Sequence, residues 1–169
     1  VLFRSGTAYQ GGFTSDGTYH VTTIPPTGNA TSAALIGTPS GDPQIAANGI
    51  AHQVLYADDP TTGVGSFHIA TITPTGTAAT TPLTGVPYDG IQFASDGTAF
   101  VMTRTGAGPY AYYVTVITPS GTATTTPLIG TRSGGIQFAP DGSVVQAMDL
   151  RNGFTRIVVL KRADPVTAV

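Results

Sequence analysis

The sequence contains no cysteine, no tryptophan and no glutamate, and Lys161 is its only lysine. Because cysteine is absent, disulfide pairing cannot indicate a redox compartment, and a metal site could not use thiolate ligands. Charged residues make up only 9% of the chain, which has a formal net charge of −2 and no basic stretch. Neutralising phosphates requires clustered Lys and Arg, so the sequence predicts no nucleic-acid partner.

Long apolar runs are also absent, and none approaches the ~20 residues of a membrane-spanning helix, so we expect no membrane insertion. Threonine, with 29 residues, and glycine, with 22, are abundant, whereas the strong helix formers are scarce. Threonine favours strands and glycine favours turns, so this composition predicts an all-β fold. A Thr-rich chain with few charges and almost no lysine suits an exported bacterial protein, and we therefore expect an extracellular or cell-surface location.

A repeat runs through the whole chain. Residues 90–97 (GIQFASDG) match residues 135–142 (GIQFAPDG), and residues 72–78 (ITPTGTA) match residues 117–123 (ITPSGTA). An alternative register that starts from Asp16-Gly17 leaves an interval of 32 residues, which is too short for the same unit. The preferred alignment gives intervals of 43, 48 and 45 residues between its turn glycines, which are Gly6, Gly49, Gly97 and Gly142.

Each unit is predicted to form four short antiparallel strands, named a to d in chain order. In the third unit the strands are predicted at residues 91–94, 98–103, 112–118 and 122–128. Strand c of the last unit is apolar on both sides, as a strand between two neighbouring sheets requires, whereas strand d is Thr-rich and polar, as an outer edge should be. Such units, stacked on their neighbours, are typical of β-propeller blades. The alternatives are a β-sandwich or another array of short strands, and the predicted blades are residues 1–42, 43–89, 90–134 and 135–169.

The order of the motifs within a unit resembles that of NHL and YVTN-type propeller repeats. The resemblance rests on residues 134–142 (GGIQFAPDG), the alternating strand that follows them, and residues 114–121 (VTVITPSG). It extends over essentially the whole chain and looks closest to repeats of large, Thr-rich exported mycobacterial and actinobacterial proteins. The resemblance implies a β-propeller but little about activity, because such families include scaffolds, binding modules and a minority of lyases and lactonases.

The two ends of the chain carry separate predictions. Residues 1–5 (VLFRS) match the translated end of a common sequencing adapter, so we interpret them as a scar on a gene fragment assembled from environmental reads. The chain begins inside a strand a, and the last unit ends after its strand c. We therefore expect four blades, the last incomplete, which belong either to a larger ring of about six to eight blades of the same parent chain or to an incomplete ring with an exposed end. A closed four-bladed disc with both termini in one blade would contradict this expectation.

The three histidines do not suggest a catalytic or metal site. His20 and His68 are predicted just before strand c, at a repeat position where the other units carry Tyr113 and Arg156. A position that accepts His, Tyr and Arg is typical of a structural residue, and His52 stands alone at the start of a strand b. No His-x-x-x-His spacing is present, so we predict neither a metal nor a cofactor.

The acidic residues give only weak candidates for a functional site. The Asp-Gly turns are explained by hairpin chemistry, because a Ca²⁺ site needs several carboxylates within one loop. Asp58-Asp59 is the only adjacent acid pair and therefore the best cation candidate. Asp42 and Asp89 lie in neighbouring d–a connections, which would bring them to one face of the disc. The residues of the d–a connections differ from unit to unit, and both ligand contacts and neutral surface drift would produce such differences.

In a propeller the d–a connections and the b–c loops emerge on the same face, and the b–c loops are the most variable segments of this chain. Tyrosine and arginine are favoured in interaction hot spots. We therefore predict a non-catalytic scaffold, or a module that binds a protein or glycan through this face. The alternative is an enzyme of lyase or lactonase type, which requires a His and an Asp to meet within about 4–5 Å. Glutamines on strand a are expected to form hydrogen bonds between blades: Gln44, Gln92 and Gln137. The candidate binding residues are Asp42, Asp58, Asp59, Tyr88, Asp89, Arg104, Tyr110, Tyr112, Arg132 and Arg151.

Overall fold

The computed structural model describes residues 2–4, 6–59, 61–106, 110–132, 134–150 and 153–161. These residues form four antiparallel sheets and include no helix, so no described segment is a helix able to cross a membrane. The predicted all-β fold with four successive propeller-type sheets is confirmed.

The strands follow one another in the order of the chain. Sheet 1 contains β1 (Leu2–Arg4), β2 (Thr7–Phe13), β3 (Tyr19–Ile24) and β4 (Thr31–Leu35). Sheet 2 contains β5 (Thr38–Pro39), β6 (Gln44–Ile45), β7 (Ala51–Asp58), β8 (Gly65–Ile72) and β9 (Ala78–Pro82). Sheet 3 contains β10 (Val86–Pro87), β11 (Gln92–Phe93), β12 (Ala99–Arg104), β13 (Tyr112–Ile117) and β14 (Ala123–Leu128). Sheet 4 contains β15 (Thr131–Arg132), β16 (Gln137–Phe138), β17 (Val144–Asp149) and β18 (Thr155–Lys161).

The inner strand differs from its prediction. In sheets 2, 3 and 4, strand a consists of two short segments that pair with the same strand b. In sheet 3, Pro87 pairs with Thr103 and Gln92 with Phe100, so the four residues 88–91 stand opposite only two residues of β12. We call residues 88–91, and the equivalent residues 40–43 of sheet 2, the inner bulges. The prediction of strand a at residues 91–94 is correct for the second segment, Gln92–Phe93, but it assigned the first segment, Val86–Pro87, to the d–a connection.

This difference also moves the limits of the sheets. Sheets 2, 3 and 4 begin at Thr38, Val86 and Thr131, ahead of the predicted blade limits at residues 43, 90 and 135. In sheet 1, residues 2–4 pair with Thr7–Tyr9 and supply the inner strand, although they belong to the segment that matches a sequencing adapter.

The turn glycines of the repeat lie where the register predicts them. Gly6, Gly49, Gly97 and Gly142 join strand a to strand b with φ of 78°, 85°, 89° and 84°, in the left-handed region that glycine tolerates. Asp16-Gly17 instead closes the hairpin between β2 and β3, where the Gly17 N–H donates to the Thr14 carbonyl over 2.9 Å. The repeat register with Gly6, rather than Gly17, as its first turn glycine is therefore confirmed.

The core lies between successive sheets. One buried cluster joins sheets 1 and 2, including Tyr9 and Leu55; a second joins sheets 2 and 3, including Ile69 and Val101. The third joins sheets 3 and 4 and includes Met102. Val101 and its neighbour Met102 thus face opposite sheets, as the alternation of a strand predicts, and each inner sheet buries both of its faces.

Within the described residues, a neighbouring sheet covers only one of the two faces of sheet 4. Val158 and Leu160 pack against the core shared with sheet 3, whereas Ile157 and Val159 are 59% and 51% exposed. The expectation that this strand packs on both faces is therefore not met within the described chain. β1 and β18 belong to different sheets, and residues 162–169 lie outside the described residues.

Candidate binding face

The b–c loops and the start of strand a lie at the same edge of each sheet. In sheet 3, Arg104 at the end of β12 pairs with Val86 at the start of β10 and with Tyr112 at the start of β13. The a–b and c–d turns lie at the opposite edge because neighbouring strands are antiparallel. We call these two edges the loop edge and the turn edge.

A set of aromatic and cationic side chains is packed together at the loop edge of sheets 3 and 4. The Arg104 Cζ atom lies 4.7 Å from the centroid of the Tyr88 ring and 4.5 Å from that of Tyr110. The Arg132 Cζ atom also lies 4.7 Å from the Tyr88 centroid. Attraction between a guanidinium and an aromatic ring contributes about 0.5–1 kcal/mol at exposed sites, so these contacts hold the side chains in place. We call Tyr88, Asp89, Arg104, Tyr110 and Arg132 the tyrosine–arginine cluster.

An ion pair closes the cluster across two sheets. Arg132 of sheet 4 donates a hydrogen bond to the Asp89 carboxylate in the inner bulge of sheet 3, and the two side chains are 17% and 30% exposed. A pair with this much exposure stabilises the fold by at most about 1 kcal/mol. Its main effect is to fix the orientation of Arg132 beside Tyr88.

Tyr112 supports the cluster from within the core. Its side chain is buried and packs with Phe100 and Met102 in the cluster between sheets 3 and 4. The Tyr88 and Tyr112 rings meet edge to face, with their centroids 6.1 Å apart. The expectation of Tyr112 on the exposed face is therefore wrong, since this side chain is buried and supports the Tyr88 ring instead of offering a surface to a ligand.

A polar cavity lies beside the cluster, between sheets 2 and 3. It has a volume of about 500 Å³, and both predicted bulge carboxylates, Asp42 and Asp89, line it together with Gln44 and Tyr88. Asp42 also lines a cavity of about 510 Å³ between sheets 1 and 2. There, burial and, to a smaller degree, the Asp42 charge raise the pKa of Tyr19 above its usual value. Asp42 and Asp89 therefore share one concave surface at the inner edge of the sheets.

The acid pair Asp58-Asp59 is used locally. The Asp59 carboxylate accepts hydrogen bonds from the Thr61 and Thr62 N–H groups over 2.7 and 3.0 Å, which lowers the pKa of Asp59. Asp58 interacts with the Tyr56 hydroxyl and raises the pKa of Tyr56 by that hydrogen bond and by its charge. No group of three or more acidic or histidine side chains that could hold a metal ion exists among the described residues. Arg151, the remaining predicted residue, lies outside the described residues.

The histidines do not join this surface. His20 and His68 lie within strand c rather than before it, and the His68 ring is hydrogen-bonded to the Ser66 hydroxyl over 2.9 Å. His52 is buried, its Nδ1 atom lies 3.3 Å from the Thr71 hydroxyl oxygen, and its ring packs on Phe93 with the centroids 5.5 Å apart. His20 lines a cavity that no aspartate lines, and no histidine lines the cavities that contain Asp42 and Asp89. In the part of the chain that the structure describes, these cavities offer no His–Asp pair for acid–base catalysis.

Two buried glutamines on strand b were not predicted from the sequence. Gln53 donates to the Gly41 carbonyl in the inner bulge of sheet 2 over 2.5 Å, and Gln146 donates to the Gly134 carbonyl of sheet 4 over 3.3 Å. Of the three glutamines predicted to join the blades, Gln137 instead donates to the Gly135 carbonyl of its own segment over 3.3 Å. The signal for Gln53 was the polar pair His52-Gln53 in a strand that is otherwise apolar up to Ala57, opposite the segment that interrupts strand a.

No protein-family model and no curated protein matches the sequence. A search of solved structures found the X-ray structure of a protein described as a candidate gluconolactonase, with a TM-score of 0.40 and 16% sequence identity. The match covers 82% of this chain and 56% of that protein, so this chain spans little more than half of its length.

Proposed function

We propose that this chain is a non-catalytic β-propeller module that binds a protein or glycan partner through the tyrosine–arginine cluster. The observation that supports the proposal is the arrangement of Tyr88 and Tyr110 at the loop edge, where both rings contact the guanidinium group of Arg104. Tyr88 and Tyr110 are 41% and 44% exposed although their rings are in contact with charged groups. Exposed aromatic and guanidinium groups held in fixed positions favour binding because little side-chain entropy is lost when a partner docks.

Substitution of the exposed tyrosines tests this proposal. We expect Tyr88→Ala and Tyr110→Ala to weaken binding at least tenfold in a glycan array and in titrations with a purified protein partner. Tyr113→Ala is the matched control, because Tyr113 is half-buried on strand c of the same sheet and lies outside the cluster. Equal binding by all three variants and the parent chain would contradict the proposal.

The alternative of a lyase or lactonase is not supported by the cavities described above, because none of them combines a histidine with an aspartate. A binding role in an exported protein remains our proposal, and the Thr-rich, charge-poor composition is what supports the extracellular location.

We also propose that a further blade of the same kind covers the outer face of sheet 4. Ile157 and Val159 are exposed there, whereas the equivalent faces of sheets 2 and 3 are buried by a neighbour. Fusing a copy of sheet 3, residues 83–130, after Lys161 should raise the melting temperature and reduce binding of a hydrophobic dye. A fusion that unfolds independently of sheets 1 to 4 would contradict this proposal.

A further inference from the structure

The ring faces of the tyrosine–arginine cluster are already in use. Tyr88 has two guanidinium groups 4.7 Å from its centroid, and the Tyr112 ring approaches it edge to face. Tyr110 has the Arg104 guanidinium 4.5 Å from its centroid. A ligand that stacks flat on an aromatic ring would have to displace these cations. A ligand therefore meets the guanidinium N–H groups together with the exposed parts of the Tyr88 and Tyr110 rings.

The two arginines of the cluster differ in their charge partners. Arg132 is paired with Asp89, whereas no carboxylate among the described residues forms a salt bridge with Arg104. Arg104 is half-buried between Tyr88 and Tyr110, which hold its planar group without neutralising its charge. A guanidinium presents five N–H donors in a fork that matches a carboxylate, and contact with rings leaves the edge of that fork available.

The neighbouring cavity supplies a second kind of recognition. Asp42 and Asp89 line it as hydrogen-bond acceptors, and Gln44 can both donate and accept. Such groups suit a ligand rich in hydroxyls. They favour a sugar over an acidic peptide, because a sugar offers several hydroxyl groups to these acceptors and donors.

We propose that this surface binds a glycan that carries carboxylate groups, such as a chain of uronic acids. The Arg104 guanidinium binds the sugar carboxylate, and Asp42, Asp89 and Gln44 bind hydroxyl groups of the sugar that enters the cavity between sheets 2 and 3. The inference rests on the proposed function, since it assigns a ligand class to the same surface.

The test is calorimetric titration of the full chain with short oligomers of galacturonate, mannuronate and hyaluronan, each compared with its carboxyl-reduced counterpart. We expect at least one acidic oligomer to bind, and its reduced form to bind at least about tenfold more weakly, because reduction removes the charge that strengthens the hydrogen bonds from the guanidinium. Arg104→Gln should cause a loss of similar size, and Arg104→Lys an intermediate one, because lysine keeps the charge but lacks the fork. Arg156→Gln is the matched control, since Arg156 is exposed on β18 and makes none of the contacts described for the cluster.

The outcomes separate the inference from the proposed function. Equal affinity for the acidic and reduced oligomers, unchanged binding by Arg104→Gln, or no binding of any acidic oligomer would each overturn the inference. Binding of a hexaglutamate peptide that depends on Arg104, without binding of the oligomers, would identify an acidic protein partner and leave the proposed function standing. A failure of the Tyr88→Ala and Tyr110→Ala variants to change the binding of any partner would instead overturn the proposed function itself.

Discussion

Sheets 2 and 3 have the same strands and the same inner bulge, but the bulge is held in two different ways. In sheet 2 the bulge begins Ser40-Gly41, and the buried Gln53 amide donates to the Gly41 carbonyl. In sheet 3 the bulge begins Tyr88-Asp89, and the residue equivalent to Gln53 is Val101. There the surface contacts of Asp89 and Tyr88 with the two arginines take over the role of the buried amide. The comparison indicates that one bulge is anchored from the core and the other from the surface, where a ligand can reach the anchoring groups.

The features that the two sheets share should matter most for stability. Gly37, Gly85 and Gly130 have φ of 71°, 85° and 108°. A Cβ atom at each would meet a backbone carbonyl near the end of the adjoining strand b, which is that of Tyr56, Arg104 or Asp149. We expect Gly85→Ala to lower the free energy of unfolding by about 4 kcal/mol, from left-handed strain and a contact with the Arg104 carbonyl that cannot relax. Gly121→Ala is the control in urea unfolding, since Gly121 has a φ of 85° but no neighbour within 4 Å, and it should lose only about 1–2 kcal/mol. Equal losses would show that the close approach contributes nothing.

The second largest effect is a dependence of stability on pH that arises in sheet 2 and has no equivalent in sheet 3. His52 of sheet 2 is equivalent to Phe100 of sheet 3, and burial lowers the pKa of His52 to about 4. In the unfolded chain His52 binds a proton near the ordinary histidine pKa of about 6.5. The contribution of neutral His52 to the free energy of unfolding is therefore fully present above pH 6.5 and is lost as the pH falls towards 4. We expect His52 to account for a loss of about 3 kcal/mol between pH 7 and pH 4, at about 1.4 kcal/mol per pKa unit. His52→Phe should remove that part of the pH dependence in urea titrations, and an unchanged slope would contradict it.

A smaller effect is expected at the core anchor of sheet 2. Gln53→Val reproduces the residue of sheet 3 and removes the donor to Gly41. The hydrogen bond from the Ser40 N–H to the Val54 carbonyl, 2.8 Å long, should then open more often, and its amide should exchange about tenfold faster. The Tyr88 N–H, which donates to the Met102 carbonyl over 2.9 Å, is the internal control and should exchange as before. Equal exchange of the Ser40 amide in both proteins would show that Gln53 does not anchor the bulge.

The smallest effect on stability is expected at the surface anchor of sheet 3. Asp89→Asn and Arg132→Gln should each change the free energy of unfolding by less than about 1 kcal/mol, with a coupling of about 0.5 kcal/mol in a double-mutant cycle. Because the pair orients Arg132 against Tyr88, the same variants should weaken ligand binding more than they weaken the fold. A coupling energy well above 1 kcal/mol would place this ion pair among the stabilising elements of the core.

The strands were largely predictable because their limits are set by local chemistry. Turn glycines and alternating side chains placed β12 and β13 within one residue of their observed limits. The first segments of strand a were missed because Thr38–Pro39 and Val86–Pro87 are two residues long and contain proline, which in a sequence indicates a turn.

The sequence predicted which residues lie on the candidate face, but it did not predict which of them contact one another. Residue type and loop position suggested Tyr88, Tyr110 and the two arginines. The pairing of Asp89 with Arg132, 43 residues apart, depends on how one sheet stacks on the next, which no single repeat encodes. The burial of Tyr112 follows from its alternation with Val114 on one face of β13. Its residue type and its place beside the b–c loop instead suggested an exposed contact residue.

The inner bulges also have a consequence for how such a protein can diversify. The pairing of strand a resumes in register at Gln44 in sheet 2 and at Gln92 in sheet 3, whatever the sequence of the four preceding residues. Mutations within a bulge therefore leave the downstream ladder unchanged, and each duplicated unit can acquire its own specificity. Libraries randomised at residues 40–42 and 88–90 should retain folded members at high frequency, which makes this scaffold suitable for the selection of new binders.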